Sequence, residues 1–141
     1  PQVNTQETPQ NALDFRPRGL AYMDQMLKSA QGAQYSQPLR NKDGYYDCSS
    51  FVERNLNNAG INTRRGMTTA TMPQDMINAG FTKLAYDPNN LQYGDILHRD
   101  GHTETYLGNG YVIGAHSAKS GVGIAPLSQF GNFTNIFRYN R

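Results

Sequence analysis

One cysteine and three histidines are the side chains of this sequence best suited to act as nucleophile and base near neutral pH: Cys48, His98, His102 and His116. A cysteine nucleophile needs a base beside it, and the base needs an orienting partner. Cys48 stands at the predicted start of a helix, directly after Asp47, a good N-cap residue. A helix start presents unpaired amides and partial positive charge, which favour thiolate over thiol. The competing reading is a buried structural cysteine, a common fate of free thiols. His102 opens and His116 closes two short segments joined by Gly108-Asn109-Gly110. A hairpin about that turn brings residues 102 and 116 together at its open end, where His116 can fix the ring of His102 while His102 faces the thiol. His98 ends the preceding strand and is either a rival base or a plain surface or turn residue.

These residues must be positioned by the elements around them. A helix is predicted from Pro17 to Gly32: Pro17 suits a first turn, and Leu20, Met23, Met26 and Leu27 recur at helical spacing. Residues 33–47, with Pro38 and the pair Asp43-Gly44, read as a loop. A second helix runs from Cys48, with Phe51, Val52, Leu56 and Ala59 on one face, to a stop at Gly60. A short third helix covers Pro73 to Ala79, stopped by Gly80. Six short segments then alternate with turn signals: Phe81–Tyr86, Asp95–His98, His102–Leu107, Tyr111–His116, Gly121–Ala125 and Ile136–Tyr139. Helices first and strands afterwards give an α+β fold, with N-terminal helices packed on a C-terminal antiparallel sheet of about five to six strands in a meander.

Composition narrows the chemistry. The 141 residues are one domain's worth. A single cysteine excludes an internal disulfide, and with three histidines it leaves little for a closed zinc site; a thiol nucleophile with a histidine base needs neither metal nor organic cofactor. No apolar run approaches the ~18 residues that would cross a membrane. The net charge is +2 and the 13 basic residues are scattered, unlike the concentrated face of a nucleic-acid binder. Residues 1–15 are polar and aperiodic and read as a flexible arm or linker, which leaves 16–141 as the folded domain. No apolar core follows a basic start, so no signal peptide is visible. The first residue is Pro, which suggests a piece cut from a longer polypeptide or one that lost a leader or tag.

The blocks DGYYDCSSFV (43–52), YGDILHRDGHTETYLGNG (93–110) and YVIGAH (111–116) resemble the NlpC-type cell-wall cysteine peptidases, compact papain-like enzymes. The order matches: Asp-Cys-Ser-Ser on a helix, Gly-Asp-Ile on a strand, Gly-His before a Tyr-Leu-Gly-Asn-Gly hairpin, then a terminal His. The likeness spans about residues 18–139 and is greatest to the phage peptidoglycan hydrolase branch.

The resemblance implies Cys48 as nucleophile, His102 as general base and acid, and His116 as the third, orienting residue. Asp47 and Ser49 match positions bordering the substrate cleft. Tyr35 stands roughly where the family has a cleft tyrosine, with Tyr45 and Tyr46 as competitors. The sequence departs from the family at Thr103-Glu104-Thr105, where small or aliphatic residues are usual. Strand alternation puts Glu104 on the face of His102 and Tyr106, where it would contact a cationic substrate group, raise the His102 pKa or simply face water. His98 is a second departure, lining the cleft or facing water. The expected activity is hydrolysis of an amide bond in bacterial peptidoglycan, by an endopeptidase of a phage lysin or tail-associated module acting outside the cell or on the virion. The alternatives are an N-acetylmuramoyl-L-alanine amidase on the same fold and a non-catalytic wall-binding module.

Overall fold

The computed structural model describes residues 20–140. The expected arm at 1–15 and the start of the first helix at Pro17 lie outside them. Among the described residues, three α-helices precede a six-stranded antiparallel sheet, the α+β arrangement expected from the residue pattern. Helix α1 spans Ala21–Ser29 and buries Tyr22, Met23 and Met26. Helix α2 spans Cys48–Asn58, and α3 spans Met72–Asn78. Phe51 in α2 is fully buried. Truncating such a phenylalanine costs about 3–5 kcal/mol, against ~1 kcal/mol for a lost N-cap. Packing therefore holds α2 in place, and the cap defines where its first turn begins.

The predicted loop 33–47 contains a small element that the turn signals hid. Strands β1 (Gln34–Tyr35) and β2 (Tyr45–Tyr46) pair in parallel, with Tyr35 opposite Tyr46. Two-residue strands carry too little periodicity to be seen in a sequence. Their pairing returns the chain to itself just before Cys48.

The main sheet contains β3 (Phe81–Ala85), β4 (Ile96–Arg99), β5 (His102–Gly108), β6 (Tyr111–Ser117), β7 (Gly121–Pro126) and β8 (Asn135–Tyr139). Its order is β3-β8-β4-β5-β6-β7. Strands β4 to β7 form the expected meander. The last strand does not continue it but inserts between β3 and β4, a correction to the simple reading. Arg138 in β8 makes a two-point ion pair with the buried Asp95 just before β4, at 2.9 and 2.8 Å, and so holds β8 there.

Both faces of the sheet are covered. Ile96, Leu107, Ile113, Ala115 and Phe137 join Met23, Met26, Phe51, Val52 and Leu56 in the main core. The alternate residues Leu97, Val112 and Ile136 join Phe133 in a second cluster, with Tyr106, Leu127 and Phe130 packed against it. Residues adjacent along a strand thus serve opposite cores, as a period of two requires.

Candidate active site

Cys48 is the first residue of α2. Asp47 caps the helix: its Oδ1 accepts from the Ser50 amide at 2.9 Å, and the Ser50 hydroxyl accepts from the Asp47 amide at 2.9 Å. This reciprocal cap fixes the turn that presents the thiol. Arg40 secures it from outside. Its Nε donates to Asp47 Oδ2 at 2.8 Å, and its Nη2 donates to Ser49 Oγ at 3.1 Å and to the Met67 carbonyl at 2.6 Å. Arg40 lies in an unpatterned loop, and nothing in the sequence marks it.

A cleft of about 350 Å³ opens over the thiol, lined by Tyr35, Arg40, Asp47, Ser49, Thr68 and Thr69 among others. The β1–β2 pair brings Tyr35 to this wall. Burial raises the pKa of its hydroxyl, and the charges of Cys48 and Asp47 raise it further. Tyr35, Asp47 and Ser49 are therefore grouped around Cys48.

The hairpin β5–β6 supplies the imidazoles. Asn109 and Gly110 both take positive φ, 53° and 83°, as a tight primed turn requires. Thr105 pairs with Ile113 and Tyr106 with Val112. Continuing that register puts 104 opposite 114 and 102 opposite 116, so the histidines meet at the open end as expected. They do not meet directly. His102 Nε2 lies 2.6 Å from Glu104 Oε2, and His116 Nδ1 lies 2.8 Å from the same oxygen. The expectation that His116 itself fixes the His102 ring is corrected by this intervening carboxylate.

Glu104 is fully buried, so it neither faces water nor reaches a substrate group. Of the three readings open to it, only the electrostatic one fits. Burial lowers the pKa of His102, but hydrogen bonds to Cys48 and Glu104 and the charges of both outweigh it, and the value rises to about 9. The room for Glu104 comes from Gly114. A Cβ there would overlap Glu104 Oε1. A glycine inside a strand pattern is a signal of close approach and could have been read from YVIGAH. Phe130 was also missed. Its ring stacks on His102 with centroids 5.5 Å apart and lies 5.0 Å from His116, shielding both from solvent.

His98 is neither a cleft residue nor a surface one. It is 2% exposed, its Nε2 donates to the Thr69 carbonyl at 2.7 Å, and its Nδ1 accepts from Asn135 at 3.1 Å. Burial lowers its pKa. It is a neutral strut under the Thr69 side of the cleft. Among the described residues no cluster of His, Cys, Asp or Glu suits a metal ion, and no helix is long and apolar enough to cross a membrane.

The three helices and six-stranded antiparallel sheet of the described residues form an α+β fold that solved NlpC/P60 structures share. The NlpC/p60 domain of the peptidoglycan hydrolase SagA superposes with a TM-score of 0.63 at 24% identity, over 88% of this chain and 100% of that one. The peptidoglycan hydrolase RipB from Mycobacterium tuberculosis gives 0.60 at 23% identity, over 95% and 73%. NlpC1 from Trichomonas vaginalis gives 0.62 at 20% identity over 84% of this chain, which spans 42% of that protein. No curated protein matches the chain. The family model described as bacteriophage peptidoglycan hydrolase matches residues 21–136, and the chain belongs to that family.

Proposed function

We propose that residues 16–141 form a cysteine endopeptidase that hydrolyses an amide bond in the stem peptides of bacterial peptidoglycan, acting on the wall from outside the cell or from a virion. The observation that carries this reading is the Cys48 thiol within hydrogen-bonding reach of a His102 ring whose pKa is raised to about 9. That value keeps the ring cationic at neutral pH and therefore a natural partner for a thiolate.

The steps follow from the arrangement. The Cys48 sulfur attacks the scissile carbonyl carbon, and the developing oxyanion meets the Cys48 amide, which has no intrahelical acceptor in the first turn. His102 gives its proton to the leaving nitrogen as the C–N bond breaks, which leaves a thioester and a neutral imidazole. The same imidazole takes a proton from water. The hydroxide attacks the thioester, the thiolate leaves, and the carboxylic acid product departs. No step calls for a metal or organic cofactor. Tyr35, Asp47 and Ser49 are the proposed substrate wall.

Mass spectrometry of digested muropeptides tests the choice of bond. Stem peptides cut between amino acids are expected. Release of intact stems from the sugar would replace the endopeptidase assignment with an amidase.

A further inference from the structure

We infer that Glu104, and not His116, is the positioning residue for His102, that His116 acts one step behind it, and that Gly114 is the residue that admits the carboxylate. The inference rests on the thiol mechanism above and adds to it how the base is held.

The observations are independent of one another. Both imidazoles address the same oxygen, Glu104 Oε2. A carboxylate only accepts, so His102 Nε2 and His116 Nδ1 must each carry a proton. For His102 this leaves Nδ1 to face the thiol. The Nε2–H···Oε2 bond survives both halves of the reaction. With His102 doubly protonated, its Nδ1–H serves the leaving amine. Once that proton has gone, Glu104 keeps the Nε2–H tautomer and leaves Nδ1 free as the base for water. A carboxylate therefore holds the ring in the one tautomer that both steps use. The titratable groups facing this centre are Cys48 from α2, His102 on Glu104's own strand and His116 from β6. His116 uses its Nδ1 on Glu104, and its buried Nε2 has no hydrogen-bond partner, so its ring has no second anchor from which to orient His102.

Gly114 supplies the second line of argument. It sits across the hairpin from Glu104, and any Cβ would overlap the carboxylate. Its φ is not positive, so the requirement is for space and not for backbone freedom. Glycine in the middle of a strand is otherwise unfavourable. The carboxylate gives it a reason to be there.

The test is a pH profile of kcat/KM for Glu104→Gln on a purified stem-peptide substrate, with Cys48→Ala run in parallel. Gln keeps the shape and an acceptor oxygen but removes the charge. The expected result is a kcat about tenfold lower or more, KM within about twofold, and an alkaline limb moved down by about 1–3 pH units, because a neighbouring opposite charge shifts a pKa by that much. A thermal midpoint near the wild-type value shows that the variant is folded. The second arm pairs Gly114→Ala with Glu104→Ala. Gly114→Ala should lower activity in the wild type and add little once Glu104 is truncated, because the clash is gone. An unmoved alkaline limb with wild-type kcat in Glu104→Gln, or an undiminished effect of Gly114→Ala beside Glu104→Ala, overturns the inference. If Cys48→Ala still hydrolyses the substrate, the thiol mechanism fails and this inference fails with it. If Cys48→Ala is inactive and Glu104→Gln behaves as wild type, only the inference fails.

Discussion

The guanidinium of Arg40 lies 2.8 Å from Asp47 Oδ2 while Asp47 Oδ1 caps the helix that begins at Cys48. One carboxylate thus fixes both the turn that carries the thiol and the loop that walls the cleft. The same guanidinium reaches Met67, so three segments of the cleft share one cation.

Arg40→Ala should therefore weaken the site as a unit. It strips a charged partner from the buried Asp47 and a donor from the Met67 carbonyl. The expected loss is about 1.5–3 kcal/mol in unfolding free energy, the range for hydrogen bonds to charged groups. Urea denaturation measures it, and KM should rise because the cleft wall loosens. An unaltered midpoint would mean that the pair is surface decoration.

The pH dependence follows from His102. Burial favours its neutral form, but the thiol and Glu104 prevail and raise the pKa from 6.5 to about 9. The native state then holds a proton that the unfolded chain releases above pH 6.5. This contribution to stability is complete below pH 6.5 and is lost as pH rises through about 9. The kcat/KM of the wild type should keep its plateau past pH 7 and fall near pH 9. A limb near pH 6.5 would show an ordinary, unpaired imidazole.

His98 gives the opposite sign. Burial lowers its pKa below 6.5, so the neutral ring is favoured and its contribution is present above pH 6.5 and lost as pH falls below it. His98→Ala orphans the Thr69 carbonyl and the Asn135 amide, which should cost about 1–3 kcal/mol. Thermal melts of the variant between neutral and mildly acidic pH measure both effects. Its activity should survive, because the residue touches no reacting group; loss of turnover with an intact fold would return it to the list of bases.

His116→Ala should lower kcat more than it raises KM, because the ring orders Glu104 and does not touch the cleft. Removing one hydrogen bond to a carboxylate predicts about a tenfold fall. Truncation of Glu104 should cost more than truncation of His116. The reverse order would make His116 the direct partner of His102.

The contrast between what could and could not be read is physical. Helices α2 and α3 have apolar spacing, with Asp47 or Pro73 at their starts and Gly60 or Gly80 past their ends, and strands β4, β5 and β6 are divided by the turns Asp100-Gly101 and Gly108-Asn109-Gly110, so local pattern located them. Cys48 and His102 stood out because a capped helix start and a tight hairpin have strong local signatures. The place of β8 was hidden, since strand order rests on its long-range pairing with β3 and β4, to which the Arg138–Asp95 pair adds, and not on spacing. Glu104 was legible as being on the face of His102, but its burial was not, because that depends on the absence of a side chain at Gly114 across the hairpin. Phe130 and Arg40 come from loops whose course no periodicity describes.

The measurement that bears most directly on the whole account is a parallel digestion of purified cell walls by the wild type and by Cys48→Ala, with the released fragments weighed by mass spectrometry. The account predicts soluble peptide fragments with the wild type and none with Cys48→Ala, while both proteins melt alike. Fragments released by Cys48→Ala at the wild-type rate would contradict it.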